Sequence, residues 1–128
     1  MSKTAAELVA EAKAKIENLS AQDVAAEKDN GALIVDIREA VERAATGGIP
    51  GSIHVPRGML EFSADPTSAY HKEEFDPERR IILHCAGGGR SALAAQALQE
   101  MGYSNVAHLE SGMTGWIAEG LPVSRDEK

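Results

Sequence analysis

Cys85 is the one cysteine in this 128-residue sequence, and the residues after it are the part of the chain best suited to covalent chemistry. A cysteine without a second thiol forms no intramolecular disulfide and no structural zinc site by itself, so it is either buried packing or a reactive group. An isolated free cysteine is usually packing. Here the residues that follow Cys85 favour its role as a nucleophile. They are Ala86, Gly87, Gly88, Gly89, Arg90 and Ser91.

This glycine-rich stretch predicts an anion-binding loop around the sulfur of Cys85. Glycine adopts positive φ and leaves room for backbone N–H groups to point inward. A helix that is predicted to start near Ser91 adds the positive end of its dipole. Together with the guanidinium of Arg90, these donors are expected to favour the thiolate over the thiol. The stretch is not a nucleotide-binding P-loop, because the Gly-Lys-Ser/Thr ending is missing.

Strand and helix patterns predict how this loop is positioned. The segment IILHC, which Cys85 ends, reads as a short β-branched strand, and GALIVDIRE predicts a second buried strand that ends near Asp36. Further strands are predicted in IENLS, around 52–55 and in NVAHLESG, and helices over 4–15, from 21 to before 30, over 39–46, from near Ser91 to Gly102 and in GMTGWIAEGLPV. The alternation predicts an α/β fold with a mostly parallel sheet. Because ligands bind beyond the carboxyl ends of the strands in such sheets, Cys85 lies where chemistry is expected.

Composition restricts the classes of function. With 43% hydrophobic and 26% charged residues, the sequence is typical of a globular domain, and 128 residues fit one domain. The net charge of −7 and the lack of a Lys/Arg block argue against nucleic-acid binding. No signal-peptide core or membrane-spanning run is present, so we expect a cytoplasmic protein, a monomer or weak homodimer. The helix over 4–15 is expected to lie outside the main unit.

The charged residues near the predicted site support less specific predictions. Asp36 ends a strand, and a structural role is favoured for it, such as orienting the wall of the active site. Three arginines are expected to form surface pairs that contribute little to stability, although one of them could instead face the pocket. They are Arg38, Arg43 and Arg57, with Glu39, Glu42 and Glu61 as partners.

Histidines and aromatic residues are predicted to be mainly structural. His84 precedes Cys85 on a strand, so its side chain is expected to point away from the thiol and to pack in the core. No two histidines have metal-ligand spacing, and no metal site is predicted. The long connection over 59–80 carries Phe62, Tyr70 and Phe75, which we expect to cover the core, with acceptor specificity as the alternative.

Four ordered motifs resemble those of the rhodanese-like single-domain sulfurtransferases. They are VDIRE at 35–39, GGIPGSIHVP at 47–56, HCAGGGRS at 84–91 and LESGMTGWIAEGLPV at 109–123, and the resemblance covers about 16–123. Ser111 replaces the first glycine of the last motif, which affects the geometry of one turn. The resemblance implies a rhodanese-like domain over 16–124 with a five-stranded, mostly parallel sheet flanked by helices. An N-terminal helical extension over 1–15 and a tail over 125–128 lie outside it.

The resemblance also implies a reaction. The thiolate of Cys85 attacks the outer sulfur of thiosulfate or a similar donor, releases sulfite, and holds the sulfur as a persulfide for a thiol, cyanide or protein acceptor. No cofactor is needed because the cysteine carries the sulfur. The amides of the loop from Ala86 to Ser91 stabilise the persulfide, and Arg90 binds the anionic donor. Independently of the resemblance, Asp36 and Arg38 are expected to support the site.

Two alternatives stay open. Cysteine phosphatases and arsenate reductases of the same fold place five residues between their cysteine and arginine, whereas Cys85 and Arg90 have four residues between them, which favours sulfur. The second alternative is a persulfide carrier or sensor without turnover that acts as a protein-interaction module. Such a carrier would have the same sequence features as the enzyme.

Overall fold

The computed structural model describes residues 2–125 and contains one five-stranded sheet in which every strand pairing is parallel. The strands are β1 (Glu17–Leu19), β2 (Leu33–Asp36), β3 (Ile53–His54), β4 (Ile81–His84) and β5 (Val106–Leu109), in the order β1-β5-β4-β2-β3. The predicted α/β fold is confirmed. Met1 of the predicted extension and residues 126–128 of the predicted tail lie outside the described residues.

Helices cover both faces of the sheet and begin at the predicted signals in most cases. They are α1 (Ala5–Lys13), α2 (Ala21–Asp29), α3 (Ala40–Thr46), α4 (Leu60–Ala64), α5 (Gly89–Glu100) and α6 (Gly112–Ala118), with a 3-10 turn at Arg57–Met59. The hydroxyl of Ser20 accepts a hydrogen bond of 3.1 Å from the Asp23 amide and caps α2. None of the helices within residues 2–125 has the length and apolar character that crossing a bilayer requires.

The strands at the centre of the sheet are buried on both faces. Val35 and Leu83 pack on one face, which α5 covers, while Ile34 and Ile82 pack on the other face around Trp116. This double burial explains the continuous apolar runs in the sequence, since helices on both faces leave no strand face exposed to solvent. All carboxyl ends of the strands lie at one edge, so residues that follow β2, β4 and β5 meet there.

The N-terminal helix is part of the main core, which corrects the expectation that it lies outside. Ala12 of α1 is fully buried in the same apolar cluster as the residues of α5, and Val9 packs against that cluster. Val9 also lies near Gly89 at the start of α5. The extension therefore covers the helix that begins at the predicted active-site loop.

The long connection between β3 and β4 contains helical structure that the sequence analysis did not predict. It begins with the 3-10 turn and α4. The expectation that its aromatic residues cover the core is confirmed for Phe75, which meets Tyr103 edge to face at 6.4 Å. It is wrong for Phe62 and Tyr70, because both side chains are exposed.

Candidate active site

Cys85 directly follows β4 at the carboxyl edge of the sheet. Its side chain is 1% exposed and belongs to the apolar cluster that contains Leu83, whereas Ile82 belongs to the opposite cluster. His84 is on the side of Ile82, as predicted, and its Nε2 atom lies 4.0 Å from Asp36 Oδ1. Burial lowers the pKa of His84 to about 4, although the nearby Asp36 charge opposes this effect. His84 is therefore a neutral core residue.

Two backbone amides point at the sulfur of Cys85. The N–H of Gly88 donates to Sγ at 3.2 Å, and the N–H of Ser91 donates to Sγ at 3.3 Å. Helix α5 begins at Gly89, earlier than predicted, because Gly88 adopts a left-handed conformation with φ of +99°. The tight turn directs the first amides of α5 at the sulfur. This arrangement favours a negative charge on the sulfur atom.

The C-terminal motif, which contains α6, holds the loop through backbone hydrogen bonds. The amides of Met113 and Thr114 donate to the carbonyl oxygens of Cys85 and Ala86 at 2.8 and 3.1 Å. Gly112 has a φ of +66° and leaves no space for a Cβ beside the Ala86 carbonyl. Ser111, which stands where the related motif has glycine, has a φ of −84°, so a side chain is accommodated there without strain.

Arg90 is engaged by Glu42 of α3 rather than by the sulfur. The guanidinium forms a bidentate pair with the carboxylate, with distances of 2.9 and 3.0 Å, and its side chain is 40% exposed. The Arg90 hydrogen bonds are the main cause that lowers the pKa of Glu42 to about 2, and Glu42 in turn raises the pKa of Arg90. Partly exposed pairs of this kind are weak compared with buried ones, so Arg90 can exchange Glu42 for another anion.

Asp36 is the centre of a buried ion cluster at the end of β2. Its Oδ1 accepts hydrogen bonds from the backbone N–H and Nε of Arg38, both at 3.0 Å, and its Oδ2 accepts from Arg38 Nη2 at 2.9 Å and Arg43 Nη1 at 3.1 Å. The prediction of surface pairs is therefore wrong for Arg38 and Arg43, which are both buried, because the carboxylate that ends a buried strand draws them inward. It is confirmed for Arg57, which pairs with Glu61 at 2.8 Å.

The pKa of Asp36 reflects the same cluster. Burial raises the pKa, but the hydrogen bonds from Arg38, the Arg38 charge and the charge that His84 gains below a pH of about 4 outweigh burial and hold it at about 2. Asp36 is consequently a carboxylate at all pH values where the protein is expected to work.

Arg38 connects this cluster to the wall of a cavity beside the loop. Its Nη1 donates to Thr46 Oγ1 and its Nη2 donates to the Gly47 carbonyl, both at 2.7 Å. A cavity of about 220 Å³ lies between α3 and α6, with Arg38, Glu42, Thr46, Ala86, Met113 and Ile117 in its lining. Asp36 therefore orients a residue of the cavity wall.

The sequence analysis missed two polar residues that connect to Cys85 through Ser91. The Ser91 hydroxyl lies 3.6 Å from Sγ and 2.8 Å from Nδ1 of His108, and Nε2 of His108 lies 2.7 Å from Oδ1 of Asn18. A signal for His108 exists in the sequence, because it is a polar residue within an otherwise apolar strand. Asn18 carries no such signal. Within residues 2–125, no group of three His, Cys, Asp or Glu side chains could hold a metal ion.

Comparison with known proteins identifies relatives across most of the chain. The family model of the rhodanese-like domain matches residues 20–119. A sulfurtransferase of Allochromatium vinosum is 32% identical over 95 residues, which are 74% of this chain and 80% of the relative. The thiosulfate:glutathione sulfurtransferase of Saccharomyces cerevisiae is 32% identical over 98 residues, which cover 72% of this chain and 69% of that protein.

A solved structure from Rhodopseudomonas palustris resembles nearly all of the chain. It superimposes with a TM-score of 0.91 and 41% sequence identity, and the match covers 97% of this chain and 96% of that chain. That protein is described as one of unknown function and a possible tyrosine phosphatase.

The geometry of the loop predicts that two adjacent glycines differ in their tolerance of alanine. Gly88 has a left-handed backbone conformation, and a Cβ there would collide with the Glu110 carbonyl. A Cβ at Gly87 meets no atom within 4 Å. Gly88→Ala should lower the free energy of unfolding by about 2 kcal/mol and should slow alkylation of Cys85. Gly87→Ala should change neither. Urea unfolding and the rate of reaction with iodoacetamide measure both effects, and equal behaviour of the two variants would contradict this account of the turn.

The buried cluster predicts that removing the charge of Asp36 lowers the free energy of unfolding by an amount that depends on pH. Asp36→Asn should lower the free energy of unfolding by about 3 kcal/mol at pH 7, because two arginines keep their burial without their counter-charge. The contribution of the carboxylate is fully present above the pKa of an unfolded aspartate, near 4, and is lost as the pH falls toward about 2. Urea unfolding between pH 2 and 7 measures it, with the exposed Asp29→Asn as the matched control. A loss no larger than that of the control would refute the prediction.

Proposed function

The chain belongs to the rhodanese-like family, and from that premise we propose that it moves a sulfane sulfur from thiosulfate or a similar donor to a thiophilic acceptor through a persulfide on Cys85. The observation that carries the proposal is the pair of amides from Gly88 and Ser91 that donate to the sulfur. Donors that are already in place stabilise an anionic sulfur without reorganisation during the reaction.

The proposed reaction has two displacements. In the first, the thiolate of Cys85 attacks the outer sulfur of the donor, the bond between the two donor sulfurs breaks, and its electron pair leaves with sulfite. The product is a persulfide anion on Cys85. In the second, an acceptor such as a thiol, cyanide or a protein thiol attacks the outer sulfur and restores the thiolate of Cys85.

The same proposal covers the setting of the reaction. We propose that the protein works in the cytoplasm as a monomer or weak homodimer, with no cofactor, metal, nucleic acid or membrane. The single cysteine can carry the sulfur itself, and the net charge of −7 is unfavourable for polyanions. The same charge gives no long-range attraction to thiosulfate, so binding of this dianion depends on local donors.

A cysteine phosphatase is the second candidate function. The structural similarity to the Rhodopseudomonas palustris protein favours it, since that protein is described as a possible tyrosine phosphatase. The length of the loop argues against a phosphatase. Four residues separate Cys85 from Arg90, which is one fewer than in the loops of phosphatases and arsenate reductases of this fold. A persulfide carrier that needs a protein partner is a further form of the sulfur proposal.

Intact mass spectrometry tests the persulfide cycle directly. Incubation with thiosulfate should add one sulfur atom to the wild-type protein, and cyanide should then remove it. Cys85→Ser should gain no sulfur, because this variant has no thiol. A folded wild-type protein whose mass stays constant would exclude the proposed function and make aryl phosphate and arsenate the next substrates to test. Stoichiometric loading without turnover on cyanide would indicate the carrier.

The pair of Arg90 and Glu42 predicts opposite effects on donor binding. Arg90→Ala should raise KM for thiosulfate about tenfold, because a charged hydrogen-bond donor to the anion is lost. Its free energy of unfolding should change by less than about 1 kcal/mol, since the ion pair is partly exposed to solvent. Glu42→Gln should lower KM, because it frees the guanidinium and removes a negative charge. Steady-state kinetics measure both values, and an unchanged KM in Arg90→Ala would remove Arg90 from the donor site.

A further inference from the structure

A continuous row of hydrogen bonds leads from the sulfur of Cys85 to the N-terminal segment of the chain. Sγ lies 3.6 Å from the Ser91 hydroxyl, which lies 2.8 Å from Nδ1 of His108. Nε2 of His108 lies 2.7 Å from Oδ1 of Asn18. Ser91 and His108 are fully buried, so these bonds are shielded from competition with bulk water.

Asn18, at the outer end of the row, determines which atoms donate and which accept along it. The side-chain amide nitrogen of Asn18 donates to the carbonyl oxygens of Lys13 and Ile16, at 3.0 and 3.3 Å, so the Asn18 oxygen faces His108. That oxygen only accepts, and Nε2 of His108 therefore carries the ring proton. Nδ1 is then free of a proton and accepts the hydroxyl hydrogen of Ser91. The lone pairs of Ser91 Oγ are left to accept from the thiol of Cys85.

We propose that His108 is the proton acceptor for Cys85 and that Ser91 relays the proton between them. The thiol proton moves to Ser91 Oγ while the hydroxyl proton of Ser91 moves to Nδ1 of His108. One S–H bond breaks, one N–H bond forms, and the hydroxyl keeps a single proton. A neutral thiol and a neutral imidazole thereby become a thiolate and an imidazolium, with no external base. This inference rests on the proposed function of Cys85 as a nucleophile.

The transfer reverses the role of the Ser91 hydroxyl. Once Nδ1 is protonated, it donates to Ser91 Oγ, and the hydroxyl hydrogen then points at the sulfur. The anionic sulfur thus gains a third donor besides the amides of Gly88 and Ser91. His108 keeps the proton while the thiolate attacks the donor and the sulfite group leaves with its electron pair. Ser91 exchanges its proton directly with the sulfur, and His108 acts on the sulfur through Ser91.

The surroundings of His108 disfavour an imidazolium as long as Cys85 is a thiol. Burial and, less strongly, the Lys13 charge lower the pKa of His108 to about 4, and the Glu110 charge opposes them. Lys13 and Glu110 also pair with each other at 3.7 Å. His108 is therefore neutral and able to accept a proton when Cys85 is a thiol. The negative charge on the sulfur is the new interaction that stabilises the imidazolium.

The relay also gives the N-terminal segment a function. The family model matches residues 20–119, so Asn18 and Lys13 lie before the matched region. Helix α1 ends at Lys13, whose carbonyl oxygen holds the Asn18 side chain in place. The segment thereby fixes which nitrogen of His108 faces Ser91.

Thiolate absorbance at 240 nm tests the relay, because the chain has one cysteine, and the same titration of Cys85→Ser gives the background from its two tyrosines. His108→Gln and Ser91→Ala should each raise the midpoint of the thiolate titration by about one pH unit, which is a tenfold loss of thiolate below the midpoint. The double variant should shift it no further than the larger single shift, because either change interrupts the same path. An unchanged or lowered midpoint in His108→Gln would overturn the proposal, as would additive shifts. His71→Gln, a histidine outside the row, is the matched control and should leave the midpoint unchanged.

Long-range 1H–15N spectra of His108 provide a second test that does not require a substitution at His108. In the thiol form we expect the proton on Nε2 alone, and in the thiolate form we expect both nitrogens to be protonated. In Cys85→Ser and in Ser91→Ala this coupled protonation should disappear. A neutral imidazole beside an anionic sulfur in the wild-type protein would overturn the proposal. Neither readout uses a sulfur donor, so a failure of persulfide formation would affect the proposed function and leave the relay standing.

Discussion

The capping of helix α5 by the sulfur of Cys85 is the interaction on which the site depends. The first amides of a helix have no partner within the helix, and usually a Ser, Thr, Asp or Asn side chain at the N-cap accepts from one of them. The N-cap of α5 is Gly88, which has no side chain, and the sulfur accepts from the third residue of the helix, Ser91, instead. Cys85 thus occupies the position of a capping oxygen. Any negative charge on it lies where the helix already requires an acceptor.

Two ion clusters of different strength support this loop from α3. Asp36, Arg38 and Arg43 are buried, so removing one partner leaves an uncompensated charge in the protein interior and is strongly unfavourable. The pair of Glu42 and Arg90 is partly exposed and contributes little. The buried cluster is therefore suited to holding the cavity wall, and the partly exposed pair is suited to rearranging when an anion arrives. One short helix carries a member of each cluster.

The sequence predicted most of the fold and the position of Cys85 between β4 and a glycine-rich loop, but not the contacts between distant elements. The apolar runs and turn signals identified the five strands, and the single cysteine with its glycines identified the loop. The burial of Arg38 and Arg43 was missed because nothing in a local pattern shows that both side chains converge on Asp36. The contact of Asn18 with His108 joins residues that are 90 positions apart. It becomes visible only from the pairing of β1 with β5.

Hydrogen bonds rather than net positive charge dominate the surroundings of the sulfur. Each nearby guanidinium has a carboxylate partner, since Asp36 binds Arg38 and Arg43, and Glu42 binds Arg90. The direct contacts to the sulfur are instead the neutral amides of Gly88 and Ser91 and the Ser91 hydroxyl. Neutral donors of this kind stabilise an anion without holding it in an ion pair. Under the proposed function, the sulfur is anionic as a thiolate and as a persulfide and then passes its outer atom to an acceptor. Such donors suit that sequence better than a buried cation, which would hold the anion in place.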